Sequence, residues 1–143
     1  MIYTNSDGGS RGNPGPGAIG AIVRREGDII TKSSKFIGKL VTNNIAEYEG
    51  LILALELALR ITKDDLTCVL DSELIVKQLM GEYKVRDPKL IGYFLKIQKL
   101  QENFKTIKYV HVSRWDKFQR IVDELVNDEL NNKGYFKKIP KRR

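Results

Sequence analysis

Residues Ile2 to Gly17 read IYTNSDGGSRGNPGPG, and the rest of the chain is organised around them. Ile2, Tyr3 and Thr4 favour an extended backbone, so a β-strand is expected to open the stretch. Asp7 then stands directly before a turn-rich run of Gly8, Gly9, Gly12, Pro14, Gly15, Pro16 and Gly17. A carboxylate at the edge of such a turn has open space beside it. An isolated Asp-Gly pair most simply starts a turn. Three further carboxylates change that balance, each where a regular element is expected to begin or end: Glu47 in TNNIAEY, Asp71 in VLDSELIVKQL and Asp123 in IVDELVN.

Outward from this stretch, Ala18 to Arg25 and Asp28 to Phe36 are β-rich runs joined by Glu26 and Gly27, the pattern of an antiparallel hairpin. With the first strand beside it, a three-stranded meander results. From Asn43 to Ile61 the period changes, because Ile45, Tyr48, Leu51, Ile52, Leu55, Ala58 and Leu59 fall on one helical stripe. Thr42, Asn43 and Asn44 can each cap that helix, and capping with dipole compensation is sufficient reason for Glu47 near its start. Leu66 to Leu70 is a short apolar run, as in a strand covered on both faces, and it ends at Asp71. Ser72 to Met80 reads as helix, which makes Asp71 a candidate N-cap; the carboxyl end of a strand is also where open α/β sheets place ligands. A polar link, Gly81 to Pro88, leads to a helix from Lys89 to about Asn103, and Thr106 to Val112 alternates as the last strand. The final helix is expected over Lys117–Asn132, with Asp123 on its exposed N-terminal half and Gly134 closing it. The order β-β-β-α-β-α-α-β-α implies a mixed sheet with helices on its faces.

A chain of 143 residues fits one domain, here 1–133, followed by a basic C-terminal tail, 134–143. Such a domain buries roughly two-thirds of the surface its unfolded form exposes, so no metal or disulfide staple is needed for folding. The excess of 25 Lys and Arg over 18 Asp and Glu gives a net charge of +7, which favours polyanionic partners, nucleic acid first, over small cations. Part of that excess lies in Lys137, Lys138, Lys141, Arg142 and Arg143, a tail that can stay solvated, bind nucleic acid nonspecifically or pack on the sheet. Cys68 is the only cysteine, and its setting in LTCVL suits a small buried side chain, compatible with a reducing cytoplasm. The longest apolar run, Leu51 to Leu59, is interrupted by Glu56 and falls short of the ~20 residues a membrane span needs. The N-terminus lacks the basic-then-apolar pattern of a secretion signal.

Four carboxylates from separate elements converge only if something offsets their repulsion, and divalent cations are the usual agent. One cysteine and one histidine, without paired spacing, speak against zinc. Oxygen-rich ligation selects Mg²⁺ or Mn²⁺. Two such ions set ~4 Å apart can hold an attacking water and the departing oxygen of a phosphodiester on opposite sides of the phosphorus. With the basic charge of the chain, this predicts metal-dependent hydrolysis of nucleic acid.

DGGSRGNPGPG, TNNIAEY, DSELIVKQLMGEYKV and VDELVN, in that order over about residues 2–130, resemble the type 1 ribonuclease H family. The order and spacing carry the resemblance; no single motif does. It implies an α/β, ribonuclease H-like fold with a five-stranded mixed sheet in 3-2-1-4-5 order and helices on both faces. It also implies a monomeric, cytoplasmic endoribonuclease that hydrolyses the RNA strand of RNA/DNA hybrids by a two-metal-ion mechanism, leaving 5′-phosphate and 3′-hydroxyl ends. By matching motif, Asp7, Glu47, Asp71 and Asp123 are the catalytic and metal-binding residues: Asp7 bridges two Mg²⁺ ions, with Mn²⁺ a substitute, Glu47 and Asp71 complete the first site, and Asp123 helps hold the second. Asn13, Asn43 and Asn44 correspond to positions that touch the minor groove, where amides can pair with base-edge acceptors and the 2′-hydroxyl. Thr42 matches a contact to a DNA-strand phosphate.

The chain departs from the family in several places. The arginine that partners Thr42 in the family falls at Leu40, with Lys39 as the available substitute. Arg114 is followed by WDKFQRIVD, with Gln119 where asparagine is usual, so Asp116 competes with Asp123 as the fourth carboxylate. The loop Ser113 to Lys117 has no imidazole to match the loop histidine common in bacterial members, and the only histidine, His111, falls in the last strand. Slower product release or greater dependence on metal is the expected consequence. No separate basic insertion precedes the third helix, and Lys77, Lys84, Arg86 and Lys89 offer a smaller basic edge. Two other readings share these motifs: a binding module that has lost hydrolysis, and a nuclease for DNA. Retention of all four acidic positions argues against the first, and the three asparagines against the second.

Overall fold

Asp7 lies inside a strand and not at its end. The computed structural model describes residues 1–137, and its first strand, β1 (Ile2–Ser10), runs on past Asp7 while pairing antiparallel with β2 (Gly15–Arg25). Asp7 faces Gly20 and Gly8 faces Ile19, so Gly8 and Gly9, expected in the turn, belong to the ladder. The physical reason is packing. A Cβ at Gly8 would lie 2.1 Å from the carbonyl oxygen of Ala46 in α1 (Asn43–Leu59), and one at Gly50 of the same helix would lie 2.5 Å from the carbonyl oxygen of Asp7. Helix backbone rests on strand backbone here, which only glycine permits.

The remaining elements are β3 (Asp28–Val41), β4 (Asp65–Leu70), α2 (Glu73–Leu79), α3 (Pro88–Gln101), β5 (Thr106–His111) and α4 (Lys117–Asn132). The sheet order is β3-β2-β1-β4-β5, with the first three strands antiparallel and β1, β4 and β5 parallel, the mixed 3-2-1-4-5 arrangement expected. β3 extends five residues beyond the expected Phe36, passing through register shifts against β2 near Gly17. Such bulges let a strand bend while keeping its partner.

α1 and α3 cover one face through a core that includes Tyr48, Leu51, Leu55, Leu66, Ile75 and Ile97. α4 covers the other through Val126 and Leu130 against Ala18 and Phe36. β4 lies between the two layers, buried at every residue but Asp65, which is why its sequence is a continuous apolar run. Each such side chain contributes roughly 1.5–3 kcal/mol when fully buried. Gly134, at φ +86°, ends α4, with Tyr135 N donating to Leu130 O at 2.9 Å. The ring of Tyr135 then stacks on Phe36 of β3, centroids 5.8 Å apart and planes 8° from parallel. The start of the expected tail thus packs on the sheet, whereas Lys138, Lys141, Arg142 and Arg143 lie outside the described residues. Among the described residues no helix is long and apolar enough to cross a membrane.

Gly8→Ala should cost on the order of 2–5 kcal/mol, because the new methyl meets helix backbone that cannot rotate away. Urea denaturation checks this; a change below about 0.5 kcal/mol would contradict the close approach.

Candidate active site

Parallel pairing of β1 with β4 aligns the first two carboxylates. Asn5 pairs with Val69, and two residues further along each chain stand Asp7 and Asp71. Glu47 comes from the first turns of α1, which the Gly8 contact lowers onto β1. One carboxylate oxygen from each of Asp7, Glu47 and Asp71 lies within 4.8 Å of the others. Asp123 approaches from the opposite face. α4 sits down on Gly20, the cross-strand partner of Asp7, where a Cβ would be 3.0 Å from both Leu125 Cβ and Val122 O. Asp123 stands outside the tight group but close enough for its charge to act on both Asp7 and Asp71.

Capping is done by neighbours. Thr42 Oγ1 accepts from Ile45 N at 3.2 Å and Ser72 Oγ from Ile75 N at 3.3 Å, so neither Glu47 nor Asp71 is the N-cap of its helix. Asp116 Oδ2 accepts from Phe118 N and Gln119 N, both at 3.1 Å, which occupies the competing aspartate at the start of α4. Asp123 is therefore the acidic side chain of this region that faces the group.

Crowding sets the ionisation. Burial first, then the charges of Asp71, Glu47 and Asp123, push the Asp7 carboxyl up to about 9. Burial and the charge of Asp71 push Glu47 to about 7, against a hydrogen bond from Ser72 that lowers it. Asp71 is raised by burial and by Asp123, and held back by Gln119 and by the nearby charge of Arg114.

Gln119 is fully buried, and sequence reading registered it only as a departure from a motif. Its Nε2 donates to Ser6 O at 2.7 Å, and its Oε1 accepts from Asn5 Nδ2 at 3.2 Å. Asn5 Oδ1 in turn accepts from Arg24 Nε at 2.9 Å, and that guanidinium lies 4.5 Å from the ring centroid of Tyr3 and 4.1 Å from that of Phe118. A buried amide with both its oxygen and its nitrogen partnered pins the start of α4 to β1 at Asn5 and Ser6, next to Asp7. The general signal was available: a glutamine among apolar helix positions needs partners.

The groups open onto a cleft of about 1000 Å³ lined also by Asn43, Asn44 and Arg114. Asn13 Oδ1 accepts from Asn43 N at 3.0 Å, and Asn43 Oδ1 accepts from Ser10 N at 2.9 Å and Ser10 Oγ at 3.1 Å. Both asparagines spend their carbonyl oxygens on the protein, and their amide nitrogens carry no bond among the described residues. Leu40 is 78% exposed and Lys39 is exposed beside it at the end of β3. Lys77, expected on a basic edge, pairs with Glu73 at 2.9 Å. His111 is exposed at the end of β5 and does not line the cleft, whose cations among the described residues are Arg11, Arg114 and Lys137.

Residues 5–128 match the protein family described as "Reverse transcriptase-like". The chain is 36% identical over 132 residues to the "Bifunctional protein Rv2228c" of Mycobacterium tuberculosis, an alignment covering 91% of this chain and 35% of that protein. The solved N-terminal RNase H domain of the mycobacterial protein superimposes with a TM-score of 0.87, covering 93% of this chain and 95% of the solved one. "Ribonuclease HI" of Halobacterium salinarum is 37% identical over 92% of this chain and 65% of its own length. The crystal structure of LC11-RNase H1 in complex with an RNA/DNA hybrid, 37% identical, has a TM-score of 0.84 and covers 93% and 99% of the two chains. The chain thus spans about a third of the mycobacterial protein and just under two thirds of the halobacterial one.

In metal-free protein the protonated Asp7 stabilises the fold relative to the unfolded chain, whose aspartate titrates near 3.8. That contribution is complete below about pH 4 and is lost as pH rises towards 9. Asp7→Asn should therefore raise stability in EDTA at pH 8 by roughly 1–3 kcal/mol and leave it nearly unchanged at pH 4. Thermal melts at the two pH values decide; an equal shift at both would contradict the crowding.

Proposed function

This chain belongs to the type 1 ribonuclease H family, and on that premise we propose that it is an endoribonuclease that hydrolyses the RNA strand of RNA/DNA hybrids, leaving 5′-phosphate and 3′-hydroxyl ends. The observation that carries the reading is the convergence of Asp7, Glu47 and Asp71, with Asp123 beside them, on a cleft edged by amides. The donor set fits hard divalent cations: all ligands are carboxylate oxygens, gathered within 4.8 Å, whose mutual repulsion a multivalent cation relieves. Asp7, Glu47 and Asp71 would hold one Mg²⁺, or Mn²⁺, and Asp7 with Asp123 a second. Bound there, such ions supply the Lewis-acid charge that activates water and stabilises the departing oxygen of a phosphodiester.

The chain's own residues do the rest. Gln119 holds the start of α4 against Asn5 and Ser6 of β1, which keeps Asp7 and the helix bearing Asp123 in register. Arg114 brings a fixed positive charge beside Asp71, where a phosphate's negative charge would come to lie. The amide nitrogens of Asn13, Asn43 and Asn44 donate to base-edge acceptors and to the 2′-hydroxyl, which separates RNA from DNA on that strand. Thr42, the N-cap of α1, would receive a DNA-strand phosphate at the positive end of the helix. One chain supplies all four carboxylates, so a monomer suffices, and the single buried Cys68 suits a reducing cytoplasm.

Labelled RNA/DNA, RNA/RNA, DNA/DNA and single-stranded RNA, each with and without Mg²⁺, test the proposal. Only the RNA strand of the hybrid should be cut, and only with metal; Asp7→Asn should reduce cleavage more than about 100-fold while still binding hybrid. Comparable cutting of DNA/DNA, or full activity in Asp7→Asn, would overturn it.

A further inference from the structure

Arg11 joins three parts of the molecule. It leaves the β1–β2 turn, and its Nη1 donates to Asn131 Oδ1 at 2.8 Å and to the carbonyl oxygen of Tyr135. Its Nη2 donates to Asn127 Oδ1 at 3.0 Å, and Asn127 Nδ2 donates to Asp123 Oδ2 at 3.3 Å. The same guanidinium thus braces Asp123 through Asn127 and fixes the chain just past α4. That chain is held a second time by the stack of Tyr135 on Phe36, with Lys133 Nζ 5.5 Å from the Phe36 ring centroid.

What this doubly anchored segment carries into the cleft is Phe136, 69% exposed, and Lys137, both lining the space that Asp7, Glu47 and Asp71 open onto. A large ring left in water beside a lysine, directly after the anchored Tyr135, sets an apolar face and a cation at the cleft at reduced entropic cost. That pairing suits a polyanion with flat, weakly polar faces between its charges. We propose that Tyr135–Lys137, set in place by Arg11, is a nucleic-acid contact on the Asp123 side of the cleft: Phe136 packs on a sugar of the bound hybrid and Lys137 neutralises one of its phosphates. The proposal rests on the hybrid being the ligand. Arg11 acts here as a positioning residue through the three bonds it makes to Asn127, Asn131 and Tyr135.

Fluorescence anisotropy with a labelled RNA/DNA hybrid in EDTA measures binding apart from cleavage. Phe136→Ala/Lys137→Ala should weaken affinity about 10-fold, lower the slope of log K against log salt by about one, and leave the melting temperature unchanged. Arg11→Lys keeps the positive charge at that position and both wall side chains but cannot reach Asn127, Asn131 and Tyr135 O together, and should lose affinity to a similar extent. Affinity within twofold of wild type in the double variant, or tighter binding, which would make the segment a screen across the cleft, would overturn the inference. Wild-type protein that binds hybrid without cutting it under Mg²⁺ would overturn the proposed cleavage and leave this contact standing on its own measurement.

Discussion

Two backbones touch where side chains ordinarily keep them apart, and the site exists because of it. α1 rests on β1 at Gly8 and Gly50, and α4 rests on β2 at Gly20, directly across from Asp7. Three glycines bring both helices onto the sheet at one residue. A β-sheet with helices on two faces would otherwise hold Glu47 and Asp123 a full side-chain layer away from Asp7. The close approach turns three elements of ordinary secondary structure into a constellation of acids.

That convergence is electrostatically unfavourable without a compensating charge. The raised ionisation of Asp7 and Glu47 is the cost of placing carboxylates together in a half-buried setting. The fold sustains it with polar scaffolding: the neutral amides of Gln119 and Asn5 on one side, and Asn127 braced by the Arg11 guanidinium on the other. Helix capping is assigned to Thr42, Ser72 and Asp116, which leaves the carboxylates of Glu47, Asp71 and Asp123 turned to one another. Structural and chemical duties fall on adjacent residues, and this explains why motif positions and capping positions read so alike in sequence.

The element order was legible because each segment keeps one period: apolar β4 between layers, the i, i+3, i+4 stripe of α1, the alternation of β5. The 3-2-1-4-5 strand order came from the family resemblance alone, since no periodicity says which strands are neighbours. That Asp7, Glu47 and Asp71 come together in space was legible from their motifs. What sequence reading misjudged was the role of Gly8 and Gly9, because a glycine needed for a helix contact and one needed for a turn look the same in one dimension. That Asp116 caps α4, through bonds from Phe118 N and Gln119 N, was not legible, because a cap and a metal ligand are the same residue type at the same kind of position. The Arg11 and Gln119 connections span more than a hundred residues of sequence and left no local periodicity to find.

The central claim is that these acids are assembled to take up divalent cations. Anomalous diffraction from crystals soaked in Mn²⁺ addresses it most directly. The account predicts manganese peaks between the carboxylates of Asp7, Glu47 and Asp71, with a second bounded by Asp7 and Asp123. Manganese found only at scattered surface acids, with that pocket empty, would contradict it.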